Sequence, residues 1–160
     1  MIEETDIKDK IVTGAEELFR RYGVRSISMD DIARHLSVSK KTLYQHFADK
    51  DDLVESVTRQ LLEKNYKQCE DIRQGCDNPV EELARVSLWM KKSMEEVNPT
   101  MLFDLQKFHI KAWNLWVDFK NKFIRDQVVQ NLDAGIEQGY MRPVNKEIMS
   151  ILRVEFVQMA

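Results

Sequence analysis

Residues 40–47 combine side chains that could hydrogen-bond to nucleic acid. Six of them supply cations, donors, acceptors or an amphipathic ring, and none is acidic: Lys40, Lys41, Thr42, Tyr44, Gln45 and His46. Leu43 and Phe47, at positions i and i+4, would share the opposite side of a short helix. In the second helix of a helix-turn-helix, such polar groups reach base edges and phosphates in the DNA major groove. The pattern therefore predicts a DNA-reading helix over residues 40–47.

A second short helix is predicted over residues 29–36. Ser28 precedes it and Asp31 stands three residues further on, which is the spacing of a capping box. Residues 37–39 would form the turn, and Ser39 could cap the reading helix. Lys50 begins the next predicted helix, where backbone N–H groups and the helix dipole favour a phosphate. We therefore expect Ser28, Ser39 and Lys50 to contact the DNA backbone.

Positive charge is concentrated around this motif. Between Arg20 and Phe47 there are six Lys or Arg residues and two acids, a net charge of +4, whereas the whole chain carries −3. The remaining residues must therefore sum to −7. This asymmetry is typical of a phosphate-binding face. The alternative is an ordinary amphipathic helix pair whose charged side is merely solvated.

Composition favours a helical globular protein. The chain has 160 residues, of which 43% are hydrophobic and 32% charged, with only five Gly and three Pro. No apolar run approaches the ~20 residues of a membrane span. The first ten residues, MIEETDIKDK, are acidic and contain no apolar signal region. We therefore expect no membrane association and a cytoplasmic location.

No catalytic or metal-binding pattern is apparent. The sequence lacks G-x-S-x-G, Walker A, G-x-G-x-x-G and H-E-x-x-H motifs, and its three histidines are scattered. Cys69 and Cys76 are seven residues apart, about 10 Å along one helix at 1.5 Å per residue, which is too far for a disulfide. Reduced thiols are favoured over a redox sensor. The chain is predicted not to be an enzyme and to need no cofactor or metal.

Apolar residues recur at helical spacing along the rest of the chain. The pattern predicts long helices over residues 6–22, 50–73 and 112–138, and shorter ones after Asn78-Pro79, over 101–108 and after Asn145. We predict an all-α fold with an N-terminal three-helix helix-turn-helix head and a C-terminal helical bundle, linked by a long fourth helix. The predicted domains are residues 1–48 for DNA binding and 49–160 for effector binding and dimerisation.

Two stretches resemble the TetR family of bacterial transcriptional regulators. VSKKTLYQHFADKDDL is similar to the family's recognition-helix signature, and AEELFRRYGVRSISMDDIARHL looks like its first two helices. Ser37 departs from the family pattern because it stands where a turn glycine is usual, which predicts some strain. Lys41 stands where a small residue or proline is usual, and it adds a cation beside the DNA.

The resemblance implies a homodimer that binds a palindromic DNA operator, as a repressor released by a small, largely apolar effector. It also implies that the C-terminal end is incomplete relative to the family, since the last helix reaches Ala160 without a stop signal. Aromatic and methionine side chains could line an effector cavity, although packing in the core is the alternative for each. The candidates are Trp89, Met90, Met94, Phe103, Phe108, Trp113, Trp116 and Phe123.

Two other functions remain open on the residues alone. One is a DNA-binding regulator, activator or repressor, that responds to no effector. The other is a helical interaction module that has lost DNA binding. A cavity in the C-terminal bundle would argue against the first, and charge reversal at Lys40 and Lys41 would separate the second.

Overall fold

A computed structural model describes the backbone of residues 4–96 and 98–159 and the side chains of residues 7–96 and 98–155. The described part of the chain is helical and contains no strand, as the apolar periodicity predicts. Its helices are α1 (Glu4–Tyr22), α2 (Met29–Leu36), α3 (Lys40–His46), α4 (Lys50–Gln74), α5 (Pro79–Glu95), α6 (Met101–Phe108), α7 (Ile110–Asp118), α8 (Arg125–Glu137) and α9 (Lys146–Met159).

One helix differs from its prediction. The pattern predicts a single helix over residues 112–138, but a π-helical segment, Phe119–Ile124, separates α7 from α8. The π segment inserts one extra residue per turn, which moves every later side chain around the axis. Side chains before and after the segment therefore do not continue along a single face.

Two compact units make up the chain. The first, called the head unit, contains residues 1–62 together with 96–116. Its core gathers apolar side chains from α1 to α4, and Met101, Leu105 and Ala112 join the same cluster. The fully buried members of greatest volume are Ile11, Phe19, Val24, Ile32, Leu43, Phe47, Leu53, Val54 and Val57. The predicted boundary between residues 48 and 49 concerns function and stays a prediction.

Local hydrogen bonds define the helix-turn-helix. The Ser28 hydroxyl accepts from the Asp31 N–H at 3.2 Å, and the Asp31 carboxylate accepts from the Ser28 N–H at 3.0 Å, so the predicted capping box forms. The Ser39 hydroxyl accepts from the Thr42 N–H at 2.9 Å and caps α3. Gly14 lets α2 approach α1 closely, because a Cβ there would lie 2.3 Å from Leu36. Each short helix is therefore capped by a serine, and α2 packs on α1.

Residues 98–112, here called the strap, belong to the head unit and follow its first four helices only after a long stretch of sequence. They form hydrogen bonds with residues of the N-terminal part of this unit. The Asn98 N–H donates to the Arg20 carbonyl at 2.8 Å, just before the end of α1. The Asp104 carboxylate accepts from the Arg25 N–H at 2.9 Å. His109 Nδ1 lies 2.6 Å from the Asp51 carboxylate in the first turn of α4. The strap therefore bonds to the end of α1 and to the start of α4.

The second unit contains residues 63–95 and 117–160 and is called the bundle unit. Here α8 packs against both α9 and α5. Ile124 and Val154 are its buried apolar cluster, with Met90, Phe119, Phe123 and Val128 against them. The Phe123 ring lies 4.6 Å from that of Tyr66 and 4.9 Å from that of Phe119. The Asn145 amide oxygen accepts from the Ile148 N–H at 3.0 Å and caps α9, as predicted.

We predict that Ser37→Gly stabilises the protein. Ser37 has φ 54° and ψ 37°, and it is the one non-glycine residue at positive φ in the described chain. A left-handed conformation costs a residue with a Cβ about 1–2 kcal/mol, part of which glycine returns through its more flexible unfolded state. The free energy of unfolding in urea should rise by about 0.5–1 kcal/mol. Ser26→Gly, at an exposed position without positive φ, is the control and should not stabilise.

We also predict that the strap depends on Asp104. Asp104→Ala leaves the Arg25 N–H without its acceptor, and a lost buried partner costs about 1–3 kcal/mol. Asp104→Asn should lose less, because an amide oxygen can still accept. Asp118→Ala removes an exposed carboxylate 3.7 Å from Lys122 and serves as the control, with little change expected. Equal losses for Asp104→Ala and Asp118→Ala would contradict this role.

Candidate nucleic-acid interface

The outer side of α3 is polar and exposed, and its inner side is buried. Leu43 and Phe47 are 0% and 1% exposed, whereas Tyr44 is 51% exposed. Lys40, Lys41 and Gln45 are also exposed, and Thr42 and His46 are half-buried. Because two buried residues hold it from below, this seven-residue helix presents its polar side chains in one orientation. The predicted reading residues therefore share a single surface.

The two capping serines lie beside this surface. Ser28 and Ser39 are exposed, but each hydroxyl also serves its own helix. Ser39 Oγ lies 2.8 Å from Thr42 Oγ1, so the two hydroxyls share a hydrogen bond. The bonds of Ser28 to Asp31 lower the pKa of that carboxyl below its usual value. Asp31 therefore stays ionised, and the capping box persists at neutral pH.

The cations on this surface differ in their surroundings. Lys40 Nζ lies 2.5 Å from the carboxylate of Asp30 on α2. Lys41 forms no ion pair within the described chain. Both lysines are exposed, but only Lys41 presents a charge that no neighbouring acid compensates. The two acids already subtracted in the net charge of +4 are thus both paired with cations of this region, Asp30 with Lys40 and Asp31 with Arg34.

Lys50 occupies the N-terminus of α4 in a more enclosed setting. Burial removes water from its ammonium group and lowers its pKa, while the negative charges of Asp104, Asp51 and Asp31 act in the opposite direction. Lys50 is half-buried, so the side chain retains some access to solvent. The structure thus places all nine predicted DNA-contact residues in the head unit, seven of them in α3 and at its N-cap.

The strap was not foreseen as part of the head. Met101, Asp104 and Leu105 share one face of α6 and are all buried. An acid at i+3 on an apolar stripe signals a carboxylate that must find a buried donor, and this signal is present in the sequence MLFDLQKF. The donor itself, the Arg25 N–H 79 residues away, could not be read from the sequence. His109, which is 8% exposed, is likewise satisfied by Asp51.

The predicted effector residues divide between the two units. Trp113 packs on the head core, while Phe103 and Phe108 are 55% and 41% exposed beneath the ammonium of Lys107. Met90 and Phe123 pack on the buried cluster of the bundle unit. The remaining three, Trp89, Met94 and Trp116, are half-buried. Their role as effector contacts stays a prediction.

The cysteines are unpaired thiols. Burial raises the pKa of Cys69 to about 11, with the charges of Glu70 and Glu82 adding to the effect. The Cys76 thiol donates to the Ile72 carbonyl at 3.0 Å. A neutral buried thiol is a poor nucleophile, so Cys69 has no sign of redox activation.

The described residues hold neither a membrane-spanning helix nor a cluster of metal ligands. Within residues 4–96 and 98–159, no helix is both long and apolar enough to cross a bilayer. The same part of the chain holds no group of three or more His, Cys, Asp or Glu residues suited to a metal ion.

Comparison with known proteins places the helix-turn-helix in a family. Residues 11–57, from α1 into α4, match the family model described as bacterial regulatory proteins, tetR family. This interval contains the core helices of the head, both capping serines and every predicted DNA-contact residue.

Similarity to individual proteins extends further along the chain. The chain is 27% identical over 132 residues to the HTH-type transcriptional repressor KstR2 of Mycobacterium tuberculosis, covering 81% of the chain and 66% of the relative. It is 31% identical over 127 residues to the HTH-type transcriptional regulator YvaF of Bacillus subtilis, covering 77% and 65%. The chain thus spans just under two thirds of the length of these relatives.

The fold agrees with solved structures. A transcriptional regulator from Saccharomonospora viridis, solved in complex with choline, superposes with a TM-score of 0.83 at 18% identity, covering 96% of this chain and 82% of that one. At this identity the likeness concerns the fold alone. Together with the family match over the head, these findings show that the chain belongs to the TetR family of bacterial transcriptional regulators.

Proposed function

We propose that the protein is a DNA-binding transcriptional regulator that acts as a repressor on a palindromic operator. One observation carries the proposal: α3 presents an exposed, acid-free polar side while Leu43 and Phe47 lock its other side into the core. A rigid helix with cations, amides and a phenol on one side is what the major groove accommodates. Family membership also agrees with the prediction that the chain is not an enzyme.

The proposed contacts divide by chemistry. Gln45 and Tyr44, near the exposed centre of α3, would read base edges, with Thr42 and His46 at the margins of the same surface. Lys40 and Lys41 would contact phosphates or guanine edges. Ser28, Ser39 and Lys50 would hold the backbone at helix N-termini. Binding to DNA in the bacterial cell would also account for the cytoplasmic location expected from the sequence.

We propose that the protein works as a homodimer. A palindromic operator requires two heads about 34 Å apart, one in each of two successive major grooves. In the bundle unit, α9 exposes Ile148 and Ile151 at 54% and 50%. Two large aliphatic side chains one turn apart on an outer face favour an interface with a second copy.

An effector would act through segments that both units share. Helix α4 contributes residues 50–62 to the head unit and 63–74 to the bundle unit. The strap likewise continues into α7, whose last residues belong to the bundle unit. An apolar effector bound in the bundle unit could therefore change the pose of α4 and the spacing of the two heads. By linkage, operator and effector would weaken one another's binding by the same factor.

The first prediction concerns the salt dependence of DNA binding. A duplex selected from a random pool at fixed salt would serve as the operator, and its affinity would be measured by fluorescence anisotropy over a salt series. Lys41→Gln should weaken binding and reduce the slope of log K against log salt by about one, because one phosphate contact is lost.

Lys67→Gln is the matched control, since Lys67 is exposed on α4 within the bundle unit. It removes the same charge away from the proposed surface and should leave the slope unchanged. If both variants behaved like the wild type, or if both lowered the slope equally, α3 would not be the reading helix.

The second prediction concerns the pair between Lys40 and Asp30. Lys40 must leave the Asp30 carboxylate, 2.5 Å away, to reach a phosphate. Exposed ion pairs contribute about 0.2–1 kcal/mol, so Asp30→Asn should raise operator affinity by up to about fivefold.

Glu17→Gln is the control for Asp30→Asn, because Glu17 is an exposed acid on α1 of the same unit. Its removal gives the same change in net charge and should raise affinity less. Equal gains in the two variants would mean that overall charge matters and the local pair does not. In the double variant Asp30→Asn with Lys40→Gln, the gain should disappear.

A further inference from the structure

The bundle unit contains a cleft that none of the predicted effector residues lines. Its volume is about 280 Å³. Its lining residues come from α5, α8 and α9. Five of the seven lining residues are apolar: Leu83, Val128, Leu132, Met149 and Leu152, with Ser87 and Arg153 as the polar pair. The cleft is therefore an apolar trough with polar groups at one place.

Arg153 is a half-buried cation that has no counter-ion among the described residues. Its Nη2 donates to Ser87 Oγ at 2.8 Å and lies 3.8 Å from Met90 Sδ. Both contacts use the same nitrogen, so Nε and Nη1 have no bonding partner within the described chain. No carboxylate of that part of the chain lies within ion-pair distance. Loss of water on burial lowers the pKa of this guanidinium, and no neighbouring acid opposes the effect.

Ser87 is the one side chain bonded to Arg153 through oxygen within the described chain, and it is neutral. Its hydroxyl already donates to the Leu83 carbonyl and accepts from Arg153. Two other arginines of the bundle unit have acids beside them: Arg73 lies 3.3 Å from Glu70 and 3.5 Å from Glu82, and Arg125 lies 2.5 Å from Glu147. Arg73 is half-buried like Arg153, yet it has two acids. Of the two half-buried arginines of this unit, only Arg153 therefore lacks an acid among the described residues.

We propose that the cleft binds a medium-chain aliphatic carboxylate. The carboxylate would accept a charge-assisted hydrogen bond from Arg153 Nη1, which has no partner among the described residues, and would compensate the charge of the guanidinium. The alkyl chain would lie along the apolar walls. A volume just below the roughly 300–1,000 Å³ of typical ligand pockets favours a slender chain over a bulky ligand. This inference rests on the proposed function only in that the ligand would be the effector.

The binding test compares decanoate with decanol by titration calorimetry on the 160-residue chain. Decanoate should bind at least tenfold more tightly than decanol, because only the carboxylate compensates the buried cation. Arg153→Gln should remove this preference and weaken decanoate at least tenfold. Arg153→Lys should keep part of it, since the charge remains but the planar fork is lost. Decyl phosphate, tested in parallel, should bind less tightly than decanoate.

Arg142→Gln is the control variant, because Arg142 is an exposed arginine of the same unit. It should leave decanoate binding unchanged. Equal binding of decanol and decanoate to the wild type would overturn the proposal. This comparison needs no variant, so the proposal can still be refuted if Arg153→Gln fails to fold. Equal weakening by Arg142→Gln and Arg153→Gln would overturn it too, as would tighter binding of decyl phosphate.

Operator binding is measured separately by anisotropy without any ligand. A chain that binds its operator but not decanoate would refute the carboxylate site and leave the regulator intact. A chain that binds decanoate through Arg153 but no duplex would support the site and refute the proposed function. The two proposals can therefore fail independently.

Discussion

The interaction on which the head depends is the burial of Leu43 and Phe47 beneath α3. A seven-residue helix is unstable in water by itself, because the cost of its first turn is not recovered over so short a length. Here two side chains, at most 1% exposed, fasten it to the core formed by α1, α2 and α4. The core thus determines which side chains of α3 face outward. A change below the helix would alter DNA reading without touching a contact residue.

The surface built on this base is not simply cationic. Asp30 holds Lys40, Ser39 shares a hydrogen bond with Thr42, and only Lys41 has no acid beside it among the described residues. Exposed ion pairs are weak, so such partners would not prevent a contact with phosphate. They do make the contact of Lys40 conditional, because it must replace the existing bond to Asp30. A weak penalty of this kind acts on every DNA sequence and therefore leaves discrimination to the base contacts of groups such as Gln45 and Tyr44.

Much of the head was predictable because its signals are local. The caps at Ser28 and Ser39, the bounds of α2 and the strain at Ser37 all depend on residues within a few positions of one another. The strap was not predictable, since its bonds join Asp104 to Arg25 and His109 to Asp51 over long separations. The π segment was not predicted for another reason. One extra residue per turn leaves a spacing of hydrophobic residues that is still typical of an α-helix. The cleft at Arg153 was not predictable because its lining residues come from α5, α8 and α9, and no spacing reveals that none of the described acids pairs with Arg153.

The energetics of the strap limit how strongly an effector could control DNA binding. A ligand shifts a conformational equilibrium only by the difference in its affinity for the two states. The strap bonds to the end of α1 and the start of α4 through the Asn98 N–H, Asp104 and His109. Hydrogen bonds contribute about 0.5–1.5 kcal/mol each, and those involving charged groups about 1.5–3. Exchanging one or two of them corresponds to a coupling of about 1–3 kcal/mol, or roughly 5- to 150-fold in affinity. The bonds of the strap are therefore of the size that the proposed effector would have to exchange in order to weaken operator binding.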